Sequence, residues 1–123
     1  MILVDTSVWI DHLRAAVPAL SEALDQNRVL MHPYVLGELA CGNLSNRGQL
    51  LDLLSRLPVP PVATQAEALS LIDQWSLMGQ GIGYLDVHLL ASVALAGEAR
   101  LWTRDRRLAA VAVDRHLAFV EET

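Results

Sequence analysis

The composition of this 123-residue chain favours a small domain with a mainly aliphatic core, because 53% of its residues are hydrophobic and only 5% are aromatic. The formal net charge is −5, from 14 acidic and 9 basic residues, and every basic residue is arginine. That balance argues against a protein that grips nucleic acid mainly through its overall charge.

Cysteine content and hydropathy indicate the compartment. The single cysteine, Cys41, excludes an internal disulfide framework, which suits a reducing environment. The first residues lack the basic segment of a signal peptide, and no apolar run approaches the ~20 residues of a membrane span. We therefore expect a cytoplasmic protein without a membrane partner. The hydrophobic share exceeds the usual value of about 45–50% and favours a homo-oligomer interface.

Apolar runs alternate with helical patterns along the whole chain. The predicted strands are 2–4, 28–31, an edge strand at 58–62, 100–103 and 117–120. The predicted helices, several of which begin at a capping residue or a proline, are 6–13, 18–25, 33–41, 49–56, 64–78, 85–96 and 105–113. Strands that alternate with helices imply an α/β fold with a parallel sheet covered on both faces.

Four acidic residues interrupt or border these apolar runs. Asp5 and Asp105 each follow a predicted strand, Asp86 lies in the first turn of an apolar helix, and Glu38 interrupts an apolar helical segment. Ligands bind parallel sheets beyond the carboxyl ends of the strands, where Asp5 and Asp105 are expected to lie. Converging carboxylates repel one another unless a divalent cation with oxygen ligands neutralises them. The pattern predicts an acidic metal pocket.

Taken singly, each of these residues also has a purely structural explanation. Asp5 is followed by Thr6 and Ser7, a run that is typical of a helix cap. Glu38 is equally compatible with a solvated helix position, and Asp86 with a favourable interaction with the helix dipole. Asp105, beside three arginines, fits a surface ion pair. Only the joint pattern favours a site.

Four sequence motifs, each centred on one acidic residue, occur in order along the chain. They are Ile2-Leu3-Val4-Asp5-Thr6-Ser7-Val8-Trp9-Ile10, Gly37-Glu38-Leu39 with Gly42 behind it, Gly81-Ile82-Gly83-Tyr84-Leu85-Asp86-Val87-His88-Leu89-Leu90-Ala91, and Leu101-Trp102-Thr103-Arg104-Asp105-Arg106-Arg107-Leu108. Together they resemble the PIN-domain ribonucleases, most closely the VapC toxins of type II toxin–antitoxin systems. Each motif alone would be weak, whereas four with compatible spacing are specific.

The resemblance implies a single PIN domain over residues 1–123, a three-layer α/β/α sandwich with a central parallel β-sheet. It implies RNA cleavage with Mg²⁺ or Mn²⁺, a homodimer, and inhibition by a VapB-type antitoxin protein. The positions that match the family's acidic residues are Asp5, Glu38, Asp86 and Asp105. The fourth position, here Asp105, varies among PIN domains.

The expected chemistry follows from these carboxylates. A cation bound by Asp5 and Asp86 would polarise a phosphodiester and lower the pKa of a bound water. Glu38 and Asp105 would act through water or hold a second ion, since Mg²⁺ needs only one or two direct carboxylates. Hydroxyl groups are expected to orient the carboxylates, and arginines to contact RNA phosphates. These groups are Thr6, Ser7, Thr103, Arg104, Arg106 and Arg107.

Other functions fit the sequence less well. A housekeeping RNA-processing PIN nuclease remains an alternative, although the small size without an appended RNA-binding module favours a toxin. A non-catalytic binding PIN domain is a further alternative, but all four acidic positions are filled. A signalling receiver domain would need an acidic pair after the first strand and a lysine, and this chain has neither.

Overall fold

The structure, a computed structural model, describes residues 1–121. Over that range the chain forms three strands: β1 (Ile2–Val4), β2 (Val29–Leu30) and β3 (Arg100–Trp102). It also forms seven helices: α1 (Thr6–Arg14), α2 (Pro18–Asp25), α3 (Pro33–Ala40), α4 (Arg47–Ser55), α5 (Gln65–Trp75), α6 (Tyr84–Ala96) and α7 (Arg106–Asp114).

The three strands form a parallel sheet in the order β2–β1–β3, with β1 at the centre. Leu3 of β1 pairs with Leu30 of β2 on one side and with Leu101 of β3 on the other. All three residues of β1 are buried, as expected for a strand with helices on both faces. The predicted α/β fold with a central parallel sheet is confirmed.

Helix α6 forms the centre of the helical packing. Residues 87–93 of this helix are all buried, which explains why its sequence is apolar on nearly every side. The helix packs against α5 and β3, and its N-terminal turn carries Asp86. The buried apolar residues join in one core, with Leu3, Leu89 and Leu101 among its fully covered members. Within residues 1–121, none of the helices has the length and apolar character needed to cross a membrane.

Two predicted strands differ in the structure. Residues 58–62 do not form an edge strand: Met31 donates one backbone hydrogen bond to the Pro58 carbonyl at 2.8 Å, and the prolines at this position have no N–H to continue a ladder. The strand predicted at 117–120 is reduced to an isolated parallel bridge between Leu101 and Ala118. Helix α5 ends three residues earlier than predicted, because Ser76 adopts a left-handed conformation with φ of 52°.

Candidate active site

Asp5 lies directly beyond the central strand and is almost completely buried, with 7% of its surface exposed. Its Oδ2 accepts hydrogen bonds from Ser7 Oγ at 2.8 Å and from Thr103 Oγ1 at 2.7 Å. Although Asp5 occupies the position before helix α1, its carboxylate makes no capping hydrogen bond to that helix. The helix-cap explanation for this residue is therefore wrong, and the carboxylate is oriented by hydroxyl groups instead.

The parallel register explains why Thr103 meets Asp5. Val4 pairs with Trp102, and the Asp5 N–H donates to the Trp102 carbonyl at 2.9 Å, so the next residue of each strand lies side by side. The Thr103 hydroxyl also accepts a hydrogen bond from the Asp105 N–H at 3.1 Å. The end of β1 is thereby tied to the turn between β3 and α7.

Asp105 has a structural role that can be seen directly. One of its oxygens, Oδ1, accepts hydrogen bonds from the N–H groups of Arg107 and Leu108, both at 3.0 Å, and so caps helix α7. No ion pair between described residues involves Asp105. The surface-ion-pair explanation is therefore wrong, and within residues 1–121 the second oxygen, Oδ2, accepts no hydrogen bond.

Glu38 and Asp86 reach the site from two different helices. The Thr6 hydroxyl donates to Glu38 Oε1 at 2.6 Å, which links α1 to α3. The Gly83 N–H donates to Asp86 Oδ2 at 3.0 Å, so the carboxylate folds back over the start of α6. With the contacts at Asp5, all three predicted hydroxyl groups bind a predicted carboxylate.

The four carboxylates share one electrostatic environment. Burial raises the pKa of Asp86 above its ordinary value, and the hydrogen bond from Gly83 opposes that rise. The negative charges of Asp5, Asp105 and Glu38 raise the pKa of Asp86 further. Carboxylates that are far apart in sequence therefore influence one another electrostatically, and hydrogen bonds through Thr103 and Thr6 connect three of them at the end of β1.

The chemistry of this donor set fits a hydrated divalent cation. Each carboxylate has one oxygen anchored by the protein, while its second oxygen accepts no hydrogen bond from any residue in 1–121. In that same range, no three acidic, histidine or cysteine side chains are clustered tightly enough to form an all-protein metal cage. Mg²⁺ rarely uses such cages, because it keeps several of its waters.

Arg104, one of the three arginines predicted to contact RNA, is bound to two acidic residues of the protein. Its guanidinium forms a two-pronged contact with Glu121, at 2.8 and 2.9 Å, and a third bond to Asp11 at 2.8 Å. The Trp102 indole N–H donates to the same Glu121 carboxylate at 2.8 Å. These bonds use three of its five N–H donors to fasten the chain near residue 121, which disfavours the predicted contact of Arg104 with phosphate.

Arg107 remains available to a ligand and lies against the loop that leads into Asp86. A Cβ atom placed on Gly81 would lie 2.6 Å from both Cδ and Nη1 of Arg107, so the side chain runs closely over this glycine. Neither Arg107 nor Arg106 forms an ion pair with another residue of the described chain. These two guanidinium groups are the free cations beside Asp105.

The aromatic and histidine side chains are mostly structural, as predicted. Trp9 and Trp102 are each 1% exposed and pack in the core. His32 and His88 are also buried, and burial together with the nearby His88 lowers the pKa of His32 to about 4. Sequence reasoning missed the contact of Tyr84 with His88, although their i, i+4 spacing on a helix was a usable signal.

A comparison with protein families is consistent with this geometry. The family described as PIN domain matches residues 2–114. The chain belongs to the PIN domain family. This PIN domain is 51% identical, over 122 residues, to proteins named Ribonuclease VapC32 from two strains of Mycobacterium tuberculosis, CDC 1551 / Oshkosh and ATCC 25618 / H37Rv. The alignment covers 99% of this chain and 98% of each relative.

A solved structure supports the same fold. The protein titled "Crystal structure of PAE2754 from Pyrobaculum aerophilum" superimposes with a TM-score of 0.61, covering 94% of this PIN domain and 85% of that chain. At 17% sequence identity this likeness concerns the fold alone. The resemblance to VapC PIN domains that the four motifs predicted is confirmed by the family match and by the VapC32 relatives.

Proposed function

We propose that this PIN domain is a divalent-metal-dependent endoribonuclease and the toxin of a VapBC-type toxin–antitoxin system. The observation that carries the proposal is the hydrogen-bonded arrangement at the end of β1, where Thr103 joins Asp5 to the turn that bears Asp105, and Thr6, next to Asp5, bonds to Glu38. Burial and then the charges of these three carboxylates raise the pKa of Asp86, which supports its place in the same site. The 51% identity to Ribonuclease VapC32 favours a toxin over a housekeeping nuclease. An RNA substrate and a VapB-type antitoxin partner follow from that family.

In the proposed mechanism, Asp5 and Asp86 would hold Mg²⁺ or Mn²⁺. The ion would supply an activated water and stabilise the charge that develops on the phosphodiester. Asp5 is suited to this task because Ser7 and Thr103 fix its Oδ2 and leave Oδ1 for a ligand. Asp86 is suited because burial, and after it the negative charges of the neighbouring carboxylates, disfavour its ionised form, and a bound cation would favour that form.

Glu38 and Asp105 have a positioning role in this proposal. One oxygen of Glu38 accepts a hydrogen bond from the Thr6 hydroxyl, and one oxygen of Asp105 accepts hydrogen bonds from the first N–H groups of α7. The second oxygen of each carboxylate is available to bind a water molecule or another ion. Arg106 and Arg107 contact RNA phosphates on the Asp105 side of the site. A cytoplasmic location and a homodimer remain predictions, and sedimentation of the purified protein tests the dimer.

The proposal is tested by metal-dependent cleavage and stability in matched variants. Asp5→Asn and Asp86→Asn should each abolish RNA cleavage, while Asp73→Asn, which changes an exposed carboxylate on α5, should leave it unchanged. At a Mn²⁺ concentration of 100 times Kd, the wild-type fold should gain about 2.7 kcal/mol. With an unfolding entropy of about 2.1 cal/mol/K per residue, this gain raises Tm by about 10 °C.

Two outcomes would contradict the proposal. One is full RNA cleavage by the Asp5→Asn or Asp86→Asn protein with the fold intact by far-UV circular dichroism. The other is a Tm of the wild-type protein that does not respond to millimolar Mg²⁺ or Mn²⁺. The Asp73→Asn protein controls for a general effect of removing one negative charge.

A further inference from the structure

Two exposed tyrosines stand out among the aromatic residues. The chain has six Phe, Trp and Tyr residues, and four of them are buried or half-buried. Tyr34 and Tyr84 are the exposed ones, at 41% and 45%. Exposed aromatic rings that are held in place are common at binding surfaces, because they offer apolar contact area at a low cost in conformational entropy.

A single buried histidine holds both rings. His88 is 2% exposed, and its ring centroid lies 4.9 Å from that of Tyr34 and 4.7 Å from that of Tyr84. Both contacts are edge-to-face, with interplanar angles of 71° and 88°. The ring centroid of His32 lies 5.0 Å from that of Tyr34, and His32 Nδ1 accepts a hydrogen bond from the Tyr34 backbone N–H. The two tyrosine rings are therefore positioned in advance of any ligand.

The same two helices carry two of the site carboxylates. Tyr34 precedes Glu38 by one turn of α3, so both side chains lie on one face of that helix. Tyr84 and Asp86 both lie in the first turn of α6. Tyr34 therefore adjoins the acidic site through Glu38, and Tyr84 begins the helix that carries Asp86, three residues after the glycine over which Arg107 runs.

We propose that Tyr34 and Tyr84 form a stacking subsite for one unpaired nucleobase of the RNA, beside the phosphodiester that is cut. This inference rests on the proposed nuclease function. A base fits the subsite because it is flat and uncharged, whereas a phosphate or an acidic peptide would be repelled by the adjacent carboxylates. Stacking would also supply affinity that a chain with a net charge of −5 cannot obtain from charge alone.

The subsite selects single-stranded RNA. A base in a duplex is covered on both faces and cannot reach the two rings, whereas a base in a loop or an unpaired end can stack on them. The hydroxyl groups of the tyrosines are not required for stacking, so phenylalanine should replace either residue. Alanine should not, because it removes the ring.

The test is a fluorescence titration of single-stranded octaribonucleotides in which 2-aminopurine replaces one base at a time. The protein carries Asp5→Asn so that the RNA stays intact, which gel electrophoresis checks. Stacking should quench the probe at one position. Tyr34→Ala or Tyr84→Ala should remove that quenching and raise Kd about tenfold, and Tyr34→Phe and Tyr84→Phe should retain both properties. Leu95→Ala, at a residue of α6 that is 50% exposed, is the matched control and should behave as the parent.

The outcomes separate this inference from the nuclease proposal. Unchanged Kd and unchanged quenching in both alanine variants would overturn the stacking subsite, even if the wild-type protein cleaves RNA. The two tyrosine rings would then be a contact surface for a protein partner. Equal affinity for a fully paired duplex of the same sequence would also overturn it. Absence of metal-dependent cleavage by the wild-type protein would instead contradict the nuclease proposal.

Discussion

Alanine substitution at two neighbouring glycines should separate the stability of the fold from contact with RNA. Gly79 and Gly81 both have positive φ, at 73° and 79°, so a side chain at either position is strained. Their surroundings differ. A Cβ on Gly79 would meet nothing within 4 Å, whereas one on Gly81 would lie 2.6 Å from two atoms of Arg107. Only Gly81→Ala must therefore displace the arginine.

The expected loss of stability is similar for the two variants. A left-handed conformation costs an L-residue about 1–2 kcal/mol. An unfolding entropy of about 2.1 cal/mol/K per residue amounts to about 0.26 kcal/mol/K for this chain, so Tm should fall by about 4–8 °C in both. The contact with Arg107 adds little to this cost, because the affected atoms belong to the far end of a flexible side chain.

The two variants should differ in RNA cleavage. If Arg107 contacts a phosphate, Gly81→Ala should raise KM about two- to fivefold through the displaced guanidinium, and Gly79→Ala should not. Arg107→Ala should reproduce the effect, and Gly81→Ala should add little to it in the double variant. The assay is steady-state cleavage of a fluorescent oligoribonucleotide at a temperature below both Tm values. Equal KM values for the two glycine variants would refute this reasoning.

Three further predictions concern stability. Burial and neighbouring carboxylates raise the pKa of Asp86, so the metal-free protein should lose stability as the pH rises through that pKa. The Asp86→Asn protein should not show this loss, and without metal its Tm at pH 7 should be higher than that of the wild-type protein. Thr103→Val removes a hydrogen bond to the Asp5 carboxylate, so it should lower the free energy of unfolding, measured in thermal melts, by about 1.5–3 kcal/mol and should lower the cleavage rate. Thr103→Ser keeps the hydroxyl and should have the stability and the cleavage rate of the wild-type protein. Arg104→Met breaks the contact with Glu121 and should lower the free energy of unfolding by about 1 kcal/mol or less without changing KM. A raised KM would instead indicate that Arg104 contacts RNA.

Most helices could be predicted because their signals are local. Helix α2 begins at Pro18 and ends at Asp25 as predicted. Helix α5 was predicted from residue 64, and there the Thr64 side chain caps the helix through reciprocal bonds with Glu67. The end of α5 could not be predicted, since no residue type announces the left-handed Ser76. The edge strand at 58–62 failed because strand pairing depends on partners that are distant in sequence.

The four acidic residues remain a predicted site, whereas the contacts that the structure gives them could not be predicted from the sequence. The local sequence around Asp5 predicted a helix cap. In the structure its carboxylate is instead bonded by the hydroxyl of Thr103, which is 98 residues away in the sequence. The contacts of Arg104 were missed for the same reason: its proximity to Asp105 in sequence was visible, whereas its partners Asp11 and Glu121 are separated from it by 93 and 17 residues. Long-range pairing of side chains leaves no periodic trace in a sequence.

The contacts of Glu121 have a practical consequence for exopeptidase trimming and for shortened expression variants. A chain cut before this position would leave the indole N–H of Trp102, a residue that is 1% exposed, and most of the Arg104 guanidinium without their acceptor. Leaving such a buried donor unsatisfied costs about 1–3 kcal/mol. Glu121 therefore helps to hold β3, and with it the position of Thr103 beside Asp5.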